Sequence, residues 1–332
     1  MRKLACFVAL LICAPAVLAQ KKVVAAGMSE AQARELQASV PTVRLVRASG
    51  DALLQELADA EGFIGTIRPE QFRAAKKLRW VQLTSAGVEG VTFPDLVSSD
   101  VTLCNAKNVF GPQIADHAFG FLLALTRRLN NSILMQSKEE WPKGREGMVE
   151  LDGKTALVIG VGGIGSNIAQ RAHGFGMKVI GVDLRDLPPN NVINRMVTPD
   201  RLDEVLPEAD VIFIAAPHTK KSEGMMGPKQ FSLMKKGAYY IAMSRGKLTD
   251  TPSLVKALDE GRLAGAGLDV TDPEPLPKGH PLWKFPNVVI TPHNSGGSDR
   301  LNARLHNLLL ENLTRFGSGK PLINVVNKAE GF

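Results

Sequence analysis

The stretch Thr155-Ala156-Leu157-Val158-Ile159-Gly160-Val161-Gly162-Gly163-Ile164-Gly165 decides how this chain is read. Its first five residues are an apolar run that stops at glycine, the pattern of a strand buried on both faces. Residues 165–174 then carry a helical pattern, and residues 178–183 form a second strand that closes on Asp183. Glycines spaced G-x-G-x-x-G have little weight alone. Between a strand and a helix, with an acid roughly 20 residues on, they specify a dinucleotide site. The three glycines do different things. Gly160 permits the tight turn, Gly162 lets the backbone approach a pyrophosphate, and Gly165 lets helix and strand pack closely. The amides near Gly163 and Ile164 stand at a helix N-terminus, where free N–H groups and the helix dipole favour an anion. Asp183 is suited to accept hydrogen bonds from ribose hydroxyls and to repel a 2′-phosphate, so NAD is expected as cofactor in preference to NADP. Arg185 works against that expectation, because an arginine in this loop can accommodate the phosphate.

Outward from this unit the alternation continues. Strands fit residues 211–215, 238–243, 265–269 and 288–291, with helical patterns between them such as 251–260. On the N-terminal side strands fit 23–26, 43–47, 62–66, 80–85 and 101–104. Helices fit 29–39, with Ser29 as N-cap, and 52–58. The fold class is therefore α/β, with two doubly wound parallel-sheet domains of Rossmann and flavodoxin-like type. A long apolar helix over 114–129, with Asp116 and His117 near its start, reads as the bridge between them. The last helix, 299–315, follows Gly296-Gly297 and is expected to cross back. The boundaries fall near residues 117 and 296. The strand at 80–85 runs into Ser85-Ala86-Gly87, and a glycine turn at a strand end is where open α/β sheets bind ligands.

At 332 residues the chain can bury two cores. Its hydrophobic and charged fractions, 44% and 22%, are those of a soluble globular protein. The net charge of +7 is scattered among acids and aromatic content is 5%, which argues against nucleic-acid binding. Residues 1–19 differ in kind: Arg2 and Lys3 precede an apolar run to Leu18, and Val17 and Ala19 are the small residues before a cut. This is the layout of a secretory signal peptide, too short for a comfortable membrane span. If it functions, the mature protein starts at Gln20 and is exported to periplasm or medium, with no membrane contact after cleavage; otherwise the protein is cytoplasmic. Cleavage would leave Cys104 as the lone cysteine and preclude an internal disulfide. The histidines show no ligand spacing with one another or with Cys104, so no metal is expected.

Three more stretches end predicted strands with chemically useful residues: Met243-Ser244-Arg245-Gly246, Asp269-Val270-Thr271-Asp272-Pro273-Glu274-Pro275 and Thr291-Pro292-His293-Asn294. With the glycine loop, and in this order and spacing, they resemble the D-isomer-specific 2-hydroxyacid dehydrogenase family over almost all of the chain after residue 19. The resemblance implies a substrate domain of residues 20–117 and 296–332, an NAD-binding domain of residues 118–295, a homodimer, and hydride transfer between NAD(H) and a small D-2-hydroxy acid or 2-oxo acid.

It also implies roles that make chemical sense. Arg245 offers a planar, permanently charged fork to hold the substrate carboxylate and carbonyl. His293 is the acid/base, since imidazole exchanges protons near neutral pH. Glu274, which immediately precedes a proline as in the family, would hold the other ring nitrogen and favour the charged ring. Asp269 resembles the residue that binds the nicotinamide carboxamide, with Ser244 and Pro217 lining that end. Ser85, Ala86 and Gly87 match the loop whose amides receive the substrate carboxylate. Asn294-Ser295 after the histidine and Met243 before the arginine depart from the commoner pattern, which leaves the substrate side chain open among glyoxylate, hydroxypyruvate, pyruvate and larger oxo acids. A rival class, a dinucleotide-sensing binding protein without turnover, shares this fold and similar residues.

Overall fold

The computed structural model describes residues 20–332 other than Pro142 and Arg145, so the signal-peptide reading of residues 1–19 lies outside the described residues. The first sheet consists of β1 (Lys21–Ala25), β2 (Val43–Arg47), β3 (Gly62–Ile64), β4 (Trp80–Gln82) and β5 (Thr102–Cys104) in the order β2-β1-β3-β4-β5. All its pairings are parallel. The crossovers carry α1 (Glu30–Ser39), α2 (Asp51–Leu57), α3 (Pro69–Ala74) and α4 (Pro94–Val97). This is the flavodoxin-like order. At the start of α1 the Ser29 hydroxyl accepts from the Gln32 amide while the Gln32 side chain accepts from the Ser29 amide. That reciprocal cap satisfies two N–H groups that a helix start leaves free.

Helix α5 (Gly111–Thr126) lies earlier at both ends than the 114–129 expected. It ends where Arg128 takes a left-handed conformation, φ 56°, and a separate helix α6 (Leu129–Gln136) begins. The apolar face of α5 is buried against the second sheet: Ala118, Phe121, Leu122 and Leu125 share one core with Ala156, Val158 and Ile241.

The second sheet contains β6 (Thr155–Ile159), β7 (Lys178–Val182), β8 (Arg195–Val197), β9 (Val211–Ile214), β10 (Ala238–Ala242), β11 (Leu263–Leu268) and β12 (Val288–Ile290). Its order is β12-β11-β10-β9-β6-β7-β8, again parallel throughout. Helices α7 (Gly163–Gly174), α8 (Leu202–Val205), α9 (Pro228–Leu233) and α10 (Thr251–Asp259) cover its faces. The apolar run of β6 supplies both: Leu157 and Ile159 enter one core, Ala156 and Val158 the other. Alternate residues of a strand point to opposite faces, so a strand covered on both sides has to be apolar throughout. The order reverses at β6, which pairs with β7 on one side and β9 on the other, and such a switch point opens a crevice at the carboxyl ends of the strands.

The chain then returns to the first sheet through α11 (Leu301–Ser318), whose Leu309, Leu313 and Phe316 join Trp80 in one core. Phe316 and Trp80 have ring centroids 4.9 Å apart. A buried polar lock fixes the docking: Asn312 Nδ2 donates to Gln82 Oε1 at 2.7 Å, and the Ile323 amide donates to Asn312 Oδ1 at 2.9 Å. No helix among the described residues is long and apolar enough to cross a membrane.

Candidate active site

An open cleft, lined by loops of both sheets, lies at the carboxyl ends of the strands. Its floor is the glycine loop between β6 and α7. Gly160 has φ +90°, and a Cβ there would stand 2.4 Å from the Ala216 amide nitrogen; a Cβ on Gly165 would stand 1.8 Å from the Gly160 carbonyl oxygen. Both positions are closed to any side chain by packing within the protein. Gly162 is the opposite case: a Cβ placed there would have no atom within 4 Å, and the residue lines the cleft, so the backbone there is open to close approach by a ligand. The helix starts at Gly163, two positions before the expected Gly165, so the amides of Gly163 and Ile164 are first-turn N–H groups directed at the cleft floor. Ser244 adds a buried hydroxyl that has no hydrogen-bond partner among the described residues; it lines the same cleft, as does Pro217. A bare glycine cradle, a helix N-terminus and an orphaned hydroxyl fit a dinucleotide.

Asp183 stands at the end of β7, as expected, but its surroundings were not legible. Its Oδ2 accepts from the Val161 amide at 2.9 Å; its Oδ1 accepts from Arg185 Nε at 2.8 Å and from the Arg185 amide at 3.1 Å; Arg185 Nη2 reaches Oδ2 at 3.1 Å. These contacts use the roughly four acceptor positions of a carboxylate. Burial opposes the charge, yet the Arg185 guanidinium and the two amides outweigh it and hold this carboxyl below its usual range. Any further donor to this carboxylate must therefore exchange with Arg185 or an amide.

On the facing wall, Ser85-Ala86-Gly87 follows β4 and is folded by its own atoms. Ser85 Oγ donates to the Gly87 carbonyl at 2.9 Å, and Asn105 Nδ2 donates to the Ala86 carbonyl at 2.7 Å. Among the described residues the amides of Ala86 and Gly87 have no acceptor, which leaves two donors for an anion. Arg245, just after β10, comes across to this turn. Its Nη1 donates to the Ser244 carbonyl at 2.7 Å, and its Nε lies 3.0 Å from Glu89 Oε1. Glu89 is a site residue that sequence reasoning missed; its place two positions after Gly87 was the available hint.

His293 and Glu274 meet as expected, with His293 Nδ1 2.7 Å from Glu274 Oε1 and both side chains partly exposed. The other ring nitrogen, Nε2, makes no hydrogen bond among the described residues. His293 has φ 50°, a conformation uncommon for a side-chain-bearing residue. Asp269 holds it there. This 2%-exposed carboxylate accepts from Thr291 Oγ1 at 2.7 Å, from the Asn294 amide at 3.0 Å, and from the Ser295 amide and hydroxyl. The His293 amide donates to the Asp269 carbonyl at 2.9 Å. The structure thus ties Asp269 to the histidine loop through contacts the sequence did not reveal. Arg245, Ser244, Pro217, Ala86 and Gly87 line the cleft with the glycine loop and Asp183; His293, Glu274, Asp269 and Ser85 are not among its lining residues, and among the described residues no hydrogen bond or ion pair joins the histidine pair to Arg245. No group of three or more metal-ligating side chains occurs among the described residues.

Comparison with known proteins bears on the fold and the family. Residues 119–295 match the family described as D-isomer specific 2-hydroxyacid dehydrogenase, NAD binding domain. The chain is 34% identical over 283 residues to a glyoxylate reductase of Korarchaeum cryptofilum, covering 84% of this chain and 83% of that one. A solved D-isomer specific 2-hydroxyacid dehydrogenase family protein from Aeromonas salmonicida superposes with a TM-score of 0.81 at 30% identity, over 93% of this chain and 99% of its own. An NADPH-dependent glyoxylate/hydroxypyruvate reductase from Sinorhizobium meliloti, solved with NADP and sulfate, shares the fold with a TM-score of 0.78 at 24% identity, covering 94% of this chain and 100% of that chain. The resemblance expected from the motifs and the two-sheet α/β fold are borne out, and the chain belongs to the D-isomer specific 2-hydroxyacid dehydrogenase family of nicotinamide-dependent oxidoreductases.

Proposed function

We propose that this protein interconverts a small 2-oxo acid and the corresponding D-2-hydroxy acid with NAD(H), glyoxylate being the first candidate because the Korarchaeum relative is named for it. The observation that carries the reading is the 2.7 Å contact between His293 and Glu274. Glu274 on Nδ1 fixes the ring, which directs the free Nε2 toward a reacting oxygen. A bound nicotinamide supplies or accepts the hydride. The chain's own residues do the rest. Arg245 and the free amides of Ala86 and Gly87 hold the substrate carboxylate, and the Arg245 fork also reaches the carbonyl oxygen and fixes its orientation. His293 delivers a proton to that oxygen as negative charge builds on it, and takes the proton back in the oxidation. The N–H groups at the start of α7 bind the pyrophosphate, Ser244 and Pro217 border the nicotinamide end, and Asp269 acts at that end by fixing the loop of His293.

NAD is the preferred cofactor in this reading, because a carboxylate at Asp183 both accepts from a ribose and repels a 2′-phosphate. The cleft is the junction of a substrate domain, residues 20–117 and 296–332, with an NAD-binding domain, residues 118–295. A homodimer is proposed through α6 and the loop after it, where Leu129, Ile133, Leu134 and Trp141 are exposed, Trp141 at 93%. Such a run of solvent-facing apolar side chains marks an interface; most of α5, the helix singled out from sequence, is buried within its own chain. Export through residues 1–19 remains part of the proposal, tested by whether the native N-terminus is Gln20. The activity is tested by following NADH absorbance with glyoxylate, hydroxypyruvate and pyruvate. Turnover supports the enzyme reading; saturable NADH binding with no turnover of any 2-oxo acid would favour a sensing protein instead.

A further inference from the structure

Arg245 is not a free cation waiting in the cleft. Glu89 lies along one side of its guanidinium, Oε1 3.0 Å from Nε and Oε2 3.4 Å from Nη2, while the Ser244 carbonyl takes Nη1. Of the five N–H groups of an arginine, these contacts engage three and leave two. The pair packs over the bare backbone of the opposite wall: a Cβ at Gly87 would lie 2.0 Å from Arg245 Nη2 and 2.5 Å from Glu89 Oε2, so a side chain there would push these two flexible ends aside. The same turn carries the unused amides of Ala86 and Gly87. Any carboxylate bound jointly by Arg245 and those amides is therefore within a few ångströms of a fixed protein carboxylate.

We propose that Glu89 sets the charge selectivity of the substrate site, admitting small 2-oxo acids with one carboxylate and rejecting those that carry a second anionic group next to the ketone. The charged lining of the cleft comprises Glu89 and Asp183 against Lys107, Arg185, Lys221 and Arg245. Asp183 is paired with Arg185, which leaves Glu89 as the anion at Arg245. It partly offsets the one charge that anchors the substrate carboxylate. Arg245 and Glu89 together are neutral, so a second carboxylate placed on the Glu89 side of the guanidinium gains no net attraction from the pair and meets the close-range repulsion of Glu89 itself, whereas a hydrogen-bond donor on the carbon next to the ketone, such as a hydroxyl, meets an acceptor. Glu89 and Arg245 are 39% and 36% exposed, so solvent screens the effect. An effective dielectric well above that of a dry interior puts the discrimination at about tenfold. The inference rests on Arg245 as the carboxylate anchor.

The test uses a near-isosteric pair that differs by one charge, oxamate and oxalate, titrated calorimetrically into the NADH-loaded full chain. The wild type should bind oxamate more tightly. In Glu89→Gln the oxalate affinity should rise relative to oxamate by about tenfold, and Glu89→Asp, which keeps the charge, should hold the wild-type ratio within about threefold. With the same enzymes, kcat/KM for oxaloacetate relative to hydroxypyruvate should move with the binding ratio, mostly through KM. A ratio in Glu89→Gln within about twofold of wild type, or wild-type preference for oxalate, would overturn the proposal. Arg245→Ala separates this from failure of the anchor. If it weakens both acids while Glu89→Gln changes nothing, the selectivity inference alone fails. If Arg245→Ala or the wild type gives no evidence of anchoring at all, both fall.

Discussion

Replacing Gly162 by alanine should separate cofactor binding from folding. Its φ of −84° and ψ of −156° suit an L-residue, and nothing lies within 4 Å of the new methyl group. The folded protein therefore loses no contact, and the stiffer unfolded chain should stabilise it by about 0.4–1 kcal/mol. The methyl instead occupies the floor over which the pyrophosphate must approach the amides at the start of α7. Losing one or two hydrogen bonds to a charged group costs about 2–5 kcal/mol, which is roughly 30-fold to several-thousand-fold in Kd. Gly165→Ala is the contrasting variant: its methyl would sit 1.8 Å from a backbone oxygen, so the strand and helix must move apart. Forced overpacking of this kind costs about 1–3 kcal/mol or more. NADH titration by fluorescence, paired with thermal melts, reads both quantities. Tight NADH binding by Gly162→Ala would refute the placement of the pyrophosphate, and a fall in Tm comparable to that of Gly165→Ala would refute the claim that the position is open.

Other consequences follow from particular contacts. Arg185→Ala should free Asp183 for the ribose and raise the NADH over NADPH preference in kcat/KM, whereas unchanged discrimination would mean the pair is a bystander. Because the folded Asp183 carboxyl lies below its usual range, the pair stabilises the protein above the unfolded value near pH 4 and that contribution is lost as pH falls through the lower folded value; acid melts of Asp183→Asn should show a shallower loss over that window. Asn312→Ala leaves Gln82 Oε1 and the Ile323 amide without partners inside the protein and should destabilise it by about 3 kcal/mol in urea unfolding; a loss under about 1 kcal/mol would mean water replaces the lock. Burial pushes the Cys104 thiol up to about 12, so native protein at pH 8 should resist alkylation at Cys104 that proceeds readily in denaturant, as read by peptide mass spectrometry.

Much of this molecule was legible because its strongest signals are local. Long apolar strands such as Thr155–Ile159 and Ala238–Ala242 announce burial on both faces, and the glycine loop declares itself by its neighbours. What escaped has little local signal. Strand β8 is three residues at a sheet edge, Arg195-Met196-Val197, with too little apolar character to mark a strand. Helix α6 buries none of its residues, so no amphipathic period tied it to the fold. The first turn of α7 begins at glycines, poor helix formers that tertiary context nevertheless holds in the helix. At the site, motif spacing was sufficient to pair His293 with Glu274. The contact of Glu89 with Arg245 joins residues from different sheets, and the clamp of Arg185 on Asp183 depends on a side-chain rotamer; neither has a sequence pattern. Asp269 illustrates a residue whose importance was visible while its immediate role, pinning a left-handed histidine, was not.

The central claim is that His293, oriented by Glu274, transfers the proton. It is tested most directly by single-turnover reduction of glyoxylate by NADH-loaded wild type, His293→Ala and Glu274→Gln, with NADH affinity measured in parallel. His293→Ala should lower the rate of the chemical step by roughly 10²–10⁴-fold with NADH affinity nearly unchanged. In Glu274→Gln, where the ring loses its anionic partner on Nδ1, the rate of the chemical step should fall with NADH affinity nearly unchanged. A His293→Ala variant that retains near-wild-type single-turnover rates would contradict the claim.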